Sequence, residues 1–167
     1  MTQPIPAALQ ALIDIAAARD PLGTDRPAGA WTTDALGDGR VMYRNRNDKL
    51  DIDFTVDRLA FPDIQTMDPR LVRIAPGKRN ELHRHAHESL FVLLAGSGEV
   101  RVGEQWCAIR QGSVAFVPRW IFHQTHNTSE TEDLVLLAIT DFGFTSALLG
   151  DYDRRTRLSE AGDDVKP

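Results

Sequence analysis

Cysteine is nearly missing from this chain. Cys107 is the single one, so no intramolecular disulfide can staple the fold and no second thiol exists for a redox or zinc motif. That excludes a small disulfide scaffold and makes a reducing compartment the expected setting. Positive charge is also in deficit, with 19 Lys and Arg against 24 Asp and Glu and a formal net charge of −5. No overall basic field is available to hold nucleic acid or an anionic membrane. Long apolar runs are lacking too. The longest, 90–95 and 134–139, are six residues each, far short of the about 20 that cross a bilayer. The first twenty residues have neither the basic start nor the small-residue cleavage site of a secretory leader, so the expected location is cytoplasmic. What is present is 167 residues, 42% of them hydrophobic, enough to bury the core of one domain.

Along the chain, Leu9, Leu12, Ile13 and Ala16 recur at helical spacing between Pro6 and Pro21, which predicts a short helix over 7–19. Residues 23–39, rich in Gly, Asp, Thr and Pro, read as an irregular arm. From about Val41 the pattern turns to β. Leu50, Ile52, Phe54 and Val56 alternate with Asp51, Asp53 and Thr55, the period of a strand with one wet face. Further β runs fall at 71–75, 90–94, 99–102, 106–109, 113–117 and 134–140, separated by Gly- and Pro-bearing turns. Short strands at such spacing predict an all-β sandwich or barrel. The expected organisation is a helix and arm over 1–40, a barrel over 41–150 and a charged tail over 151–167.

All five histidines lie in two windows: His83, His85 and His87 in one, His123 and His126 in the other. In an extended segment, residues two apart point to the same side, so His83 and His85 can offer both imidazoles to one metal. His123 follows a proline after a β run, where a neighbouring strand of a small barrel can bring it opposite the pair. Three neutral imidazoles leave coordination positions open for substrate or oxygen.

Two stretches resemble the paired motifs of the cupin superfamily. The first runs from Gly77 through His83 and His85 to Ser89 and Gly96, and the second from Gly112 through Pro118 and His123 to Asn127, with the family's spacing throughout. The resemblance covers about 71–140 and implies a small antiparallel jelly-roll barrel with a metal inside. Two positions depart from it. Ser89 stands where the pattern has glutamate, and Glu88, one residue early, has the opposite parity. Trp120 stands where the second motif has glycine. Both segments look like the metal-binding barrel of gentisate- and salicylate-type ring-cleaving dioxygenases, which implies an iron(II) site of three histidines, His83, His85 and His123. Mn, Ni or Zn suit the same imidazoles. Those ring-cleavers usually carry two barrels in one chain. Single-barrel three-histidine dioxygenases acting on hydroxyketones and diketones fit this length better.

Three neutral ligands leave a divalent charge uncancelled, which favours an anionic chelating substrate. Trp120 is expected at the barrel mouth, as packing or as a wall for a planar substrate. Arg73 or Arg119 is expected to hold a substrate carboxylate, while Arg84 has the wrong parity. His87 and His126 read as imidazoles at the surface or behind the ligands, Glu88 as an exposed strand-end charge, and Met42, Met67 and Cys107 as core filler. The expected activity is oxygen-dependent carbon–carbon cleavage of a small oxygenated molecule, aromatic ones among the candidates, with a homodimer hiding the open barrel edges. Two other classes stay open. One is a ligand-binding or sensing cupin without turnover; the other is a metal-dependent lyase or isomerase that uses Glu88.

Overall fold

A computed structural model describes Gln10, residues 40–61, Ile64 and residues 66–150. The helix expected over 7–19, the arm over 23–39 and the tail lie outside the described residues, save that Gln10 is helical and exposed. Nine strands are described: β1 Arg40–Asn47, β2 Ile52–Arg58, β3 Asp68–Ile74, β4 Ser89–Ala95, β5 Ser97–Val102, β6 Gln105–Arg110, β7 Val114–Val117, β8 His123–Asn127 and β9 Leu134–Thr140. The helix α1, Phe142–Leu149, follows the last strand.

All named strand pairs are antiparallel, and they form two sheets. One has six strands in the order β1-β2-β3-β9-β4-β7 and the other three in the order β6-β5-β8. This is the all-β barrel that the strand pattern predicts, with the antiparallel jelly-roll form that the family resemblance implies. The core sits against the inner face of the larger sheet, where Ile52, Phe54, Val56, Ile74, Leu93, Leu134, Leu136 and Ala138 pack together. Along that face the character changes from apolar near Ile74 and Leu134 to polar near Asp68, Arg70, Ser89 and Thr140, all buried. Gly96 closes the tight turn from β4 to β5 at φ +80°, and a Cβ there would lie 2.6 Å from the Asp133 carbonyl oxygen. Only glycine meets both demands.

Three residues expected in the core are exposed instead: Met42 at 41%, Met67 at 55%, and Cys107. Met42 and Cys107 lie on β1 and β6, outer strands of their sheets, and Met67 lies just before β3. An apolar side chain on an outer strand has one neighbouring strand and faces water on the open side, so residue type alone misplaces it.

Candidate metal centre

His83 and His123 face each other across an isolated antiparallel bridge. The His83 amide donates to the His123 carbonyl at 3.1 Å and the His123 amide donates back at 2.8 Å. A doubly bonded pair of this kind places both side chains on the same side. His85, two residues on from His83, shares that side. The Trp120 amide donates to the His85 carbonyl at 2.8 Å, tying the turn before β8 to the first histidine segment. His83, His85 and His123 are all buried, and their ligand nitrogens lie within 4.8 Å of one another.

Each of these rings is held by its Nδ1, 2.9 Å from a backbone carbonyl two residues away: Glu81 for His83, His87 for His85 and Ile121 for His123. A carbonyl only accepts, so each Nδ1 carries the proton and each Nε2 keeps a lone pair. The Nε2 of His123 is fully buried without a partner. Burial, and then the neighbouring His83 and His87, push His85 down to about 2. Burial and the nearby histidines hold His123 well below the ordinary imidazole range. Both rings are neutral at pH 7. Neutral imidazoles with fixed tautomers, converging lone pairs and an orphaned Nε2 fit a divalent first-row metal.

A cavity of about 60 Å³ opens beside these rings, lined by all three histidines with His87, Asn80, Thr125, Ser89, Arg70 and apolar residues including Phe54, Phe91 and Leu136. Ser89 is 1% exposed and its Oγ has no partner. Glu88 is exposed, 3.6 Å from Arg119, with its amide donating to Asp141. The parity argument therefore holds: the glutamate position points inward and contains serine, while the adjacent glutamate points out.

His87 is not at the surface. It is buried, stacked on the His85 ring at 3.4 Å and 10°, and packed edge-on against Phe142 of α1. Burial, and next the charge of Arg70, push it down to about 2. The chain bends at residues 86–87, inside the cover provided by α1. His126 is half-buried on β8, with Nδ1 3.2 Å from Glu99.

The expected substrate residues need correction. Arg119 donates to the Ala86 carbonyl and pairs with Asp141 at 2.6 Å, a bond that raises its pKa. It is committed to an exposed tie between the turn and α1. Arg73 lies on β3 with parity opposite to Arg70 and Val72, which line the cavity. Trp120 does not line the cavity; it is 43% exposed and takes φ +62°, the left-handed conformation that glycine supplies in the motif.

Two residues escaped the sequence reading. Arg70, 7% exposed, lines the cavity, bonds Asp68 through Nε at 2.9 Å and an Nη at 2.7 Å, and lies over the Phe142 ring at 4.8 Å. Its parity with Val72 and Ile74 was the available signal. Buried Glu81 accepts from Tyr43 and Asn45 of β1 while its carbonyl orients His83. No residue pattern announces that role.

Residues 70–140 match the Cupin_2 family, described as a cupin domain. A 1-hydroxy-2-naphthoate 1,2-dioxygenase of Nocardioides sp. (strain KP7) is 29% identical over 80 residues, 48% of this chain and 21% of that protein. Auxin-binding protein 4 of Zea mays is 32% identical over 78 residues, 41% of this chain and 38% of that protein. This chain thus matches well under half the length of either. Among solved structures, a cupin-2 domain protein from Rhodospirillum rubrum superposes with a TM-score of 0.56 at 21% identity, covering 70% of this chain and 76% of its own. That likeness speaks for the fold alone.

Proposed function

Starting from residues 70–140 as a cupin domain, we propose that this protein is a metal-dependent dioxygenase, iron(II) being its metal, that cleaves a carbon–carbon bond in a small anionic oxygenated substrate. The observation that carries the reading is the trio of His83, His85 and His123, neutral or tautomer-fixed, around one point of a buried cavity without a carboxylate. An iron(II) ion held by their Nε2 atoms would supply an electrophilic centre where oxygen and a chelating substrate meet. The chain's own part is to orient the imidazoles through the Glu81, His87 and Ile121 carbonyls and to keep water out with Phe54, Phe91 and Leu136. The relative named as a 1-hydroxy-2-naphthoate 1,2-dioxygenase supports this reaction class. A cavity of about 60 Å³ is well below the roughly 300–1,000 Å³ of drug-sized sites, which favours a short acyclic substrate over a fused ring.

Elemental analysis and oxygen uptake test it. Protein produced with iron should carry about one divalent metal per chain. Alanine at His83, His85 or His123 should each strip that metal. Oxygen uptake should appear with a β-dicarbonyl, hydroxyketone or hydroxybenzoate. Metal-loaded protein that binds such compounds without consuming oxygen would support a ligand-binding cupin instead, the reading favoured by the auxin-binding relative.

A further inference from the structure

Resting on the substrate reading just given, we propose that Ser89 and Arg70 form a carboxylate subsite in the cavity, and that it selects short-chain oxo- or hydroxycarboxylates. Ser89 is almost wholly buried, lines the cavity, and its Oγ meets no partner. A buried hydroxyl is costly unless something bonds it, and here the open side is the cavity. The register brings the arginine to the same level. Ser89 of β4 lies opposite Thr140 of β9, and Thr140 lies opposite Asp68 of β3. Arg70, two residues along β3, reaches back so that its guanidinium sits on Asp68, in the row of Ser89. With β9 between them, β3 and β4 are separated by about 10 Å, twice the spacing of adjacent strands. An arginine side chain plus one carboxylate can bridge that distance.

Geometry supports the same occupant. Asp68 accepts from Arg58 at 3.1 and 3.3 Å as well as from Arg70, and this holds the Arg70 guanidinium, a planar carboxylate-binding group, at the cavity wall. Phe142 lies beneath the Arg70 guanidinium and limits its movement. Thr140 offers no competing hydroxyl: its Oγ1 donates to the Asp68 carbonyl and accepts from the Phe142 amide. The remaining wall, Phe54, Val56, Phe91 and Leu136, suits a few carbons and no second charge. A ligand with one carboxylate toward Ser89 and Arg70 and an oxo or hydroxyl oxygen toward the histidines meets each of these groups.

The experiment titrates pyruvate and its uncharged counterpart pyruvamide into zinc-loaded and into metal-free protein by calorimetry. Wild type should bind pyruvate at least tenfold more tightly than pyruvamide in the zinc form and retain that preference, more weakly, without metal. Ser89→Ala removes only a hydroxyl and Arg70→Lys keeps the charge but loses the planar two-toothed grip. Each should weaken pyruvate about tenfold and leave pyruvamide within twofold, with zinc content unchanged and folding verified by melting. Pyruvate binding no tighter than pyruvamide in wild type, absence of binding included, overturns the subsite. Pyruvate affinity unchanged in Ser89→Ala overturns it as well, and does so without depending on how Arg70→Lys folds. A carboxylate preference with no oxygen uptake on any substrate keeps the subsite and removes only the dioxygenase reading.

Discussion

At the scale of single residues, the site turns on parity. Ser89 points inward and Glu88 outward because successive side chains of a strand alternate, and the placement of Ser89 at 1% exposure beside an exposed Glu88 fixes the register. Ser89→Glu should therefore bring a carboxylate to the metal, tighten metal binding in a chelator competition, and fill the space offered to substrate. Glu88→Ala should leave metal content unchanged, and loss of metal in that variant would mean the register is one residue off. Glu81 gives a second test. Its side chain is anchored to β1 and its carbonyl orients His83, so Glu81→Ala should lower metal affinity by about tenfold, the low end for groups that position a ligand. The histidine trio was legible because two-residue spacing and clustering are properties of the chain itself. Choosing Arg70 over Arg73 and Arg119 needs the exact start of β3 and the ion pairs of a distant turn, neither of which the local sequence carries. Of the two places open to His87, at the surface or behind the ligands, the structure has the second, and sequence could not choose because its cover, α1, begins 55 residues later.

At the scale of elements, the ends of β8 do two different jobs. His123 opens the strand at the metal site, and Asn127 closes it. Asn127 is wholly buried and donates through Nδ2 to the carbonyls of Ile74, Ala75 and Glu132, while its Oδ1 accepts from the Ser129 amide. One side chain thus joins β3, β8 and the turn before β9. Asn127→Ala leaves several buried groups unpaired at roughly 1–3 kcal/mol each, so a loss of about 3 kcal/mol is expected in urea unfolding. Arg119→Ala is the contrast. Its pairs with Asp141 and Glu88 are solvent-accessible, so it should cost under about 1 kcal/mol and leave metal content intact. β2 is legible from its alternation and most other strands from β-type runs between turns, β9 to the residue as a continuous apolar run buried on both faces. β8 and β1 carry no such signal. β8 is polar, His-Gln-Thr-His-Asn, with buried positions taken by functional and structural polar groups; β1 is an outer strand with little buried side to mark.

At the scale of the whole molecule, three buried imidazoles make the metal-free protein sensitive to acid. His85 and His87 are pushed down to about 2 and His123 well below its ordinary range, with burial the first cause in each. In the unfolded chain all three return to about 6.5. Between those values the unfolded state binds protons that the folded state refuses, so stability is complete above about pH 6.5 and falls as pH drops below it. Each such group contributes about 1.4 kcal/mol per pH unit once well below 6.5, and three together give about 4 kcal/mol per unit. Two or three units of this, about 8–12 kcal/mol, is comparable to the typical total of about 5–15 kcal/mol for a domain. Chelator-treated protein should therefore unfold cooperatively between about pH 6 and pH 4, followed by circular dichroism, with close to three protons taken up per chain. His87→Phe keeps a ring against His85 and Phe142 but removes one titrating group. It should shift the midpoint to lower pH and reduce proton uptake by one. A metal-free transition that stays put from pH 7 to pH 4, or one that His87→Phe leaves unchanged, would show that these imidazoles accept protons without unfolding the barrel.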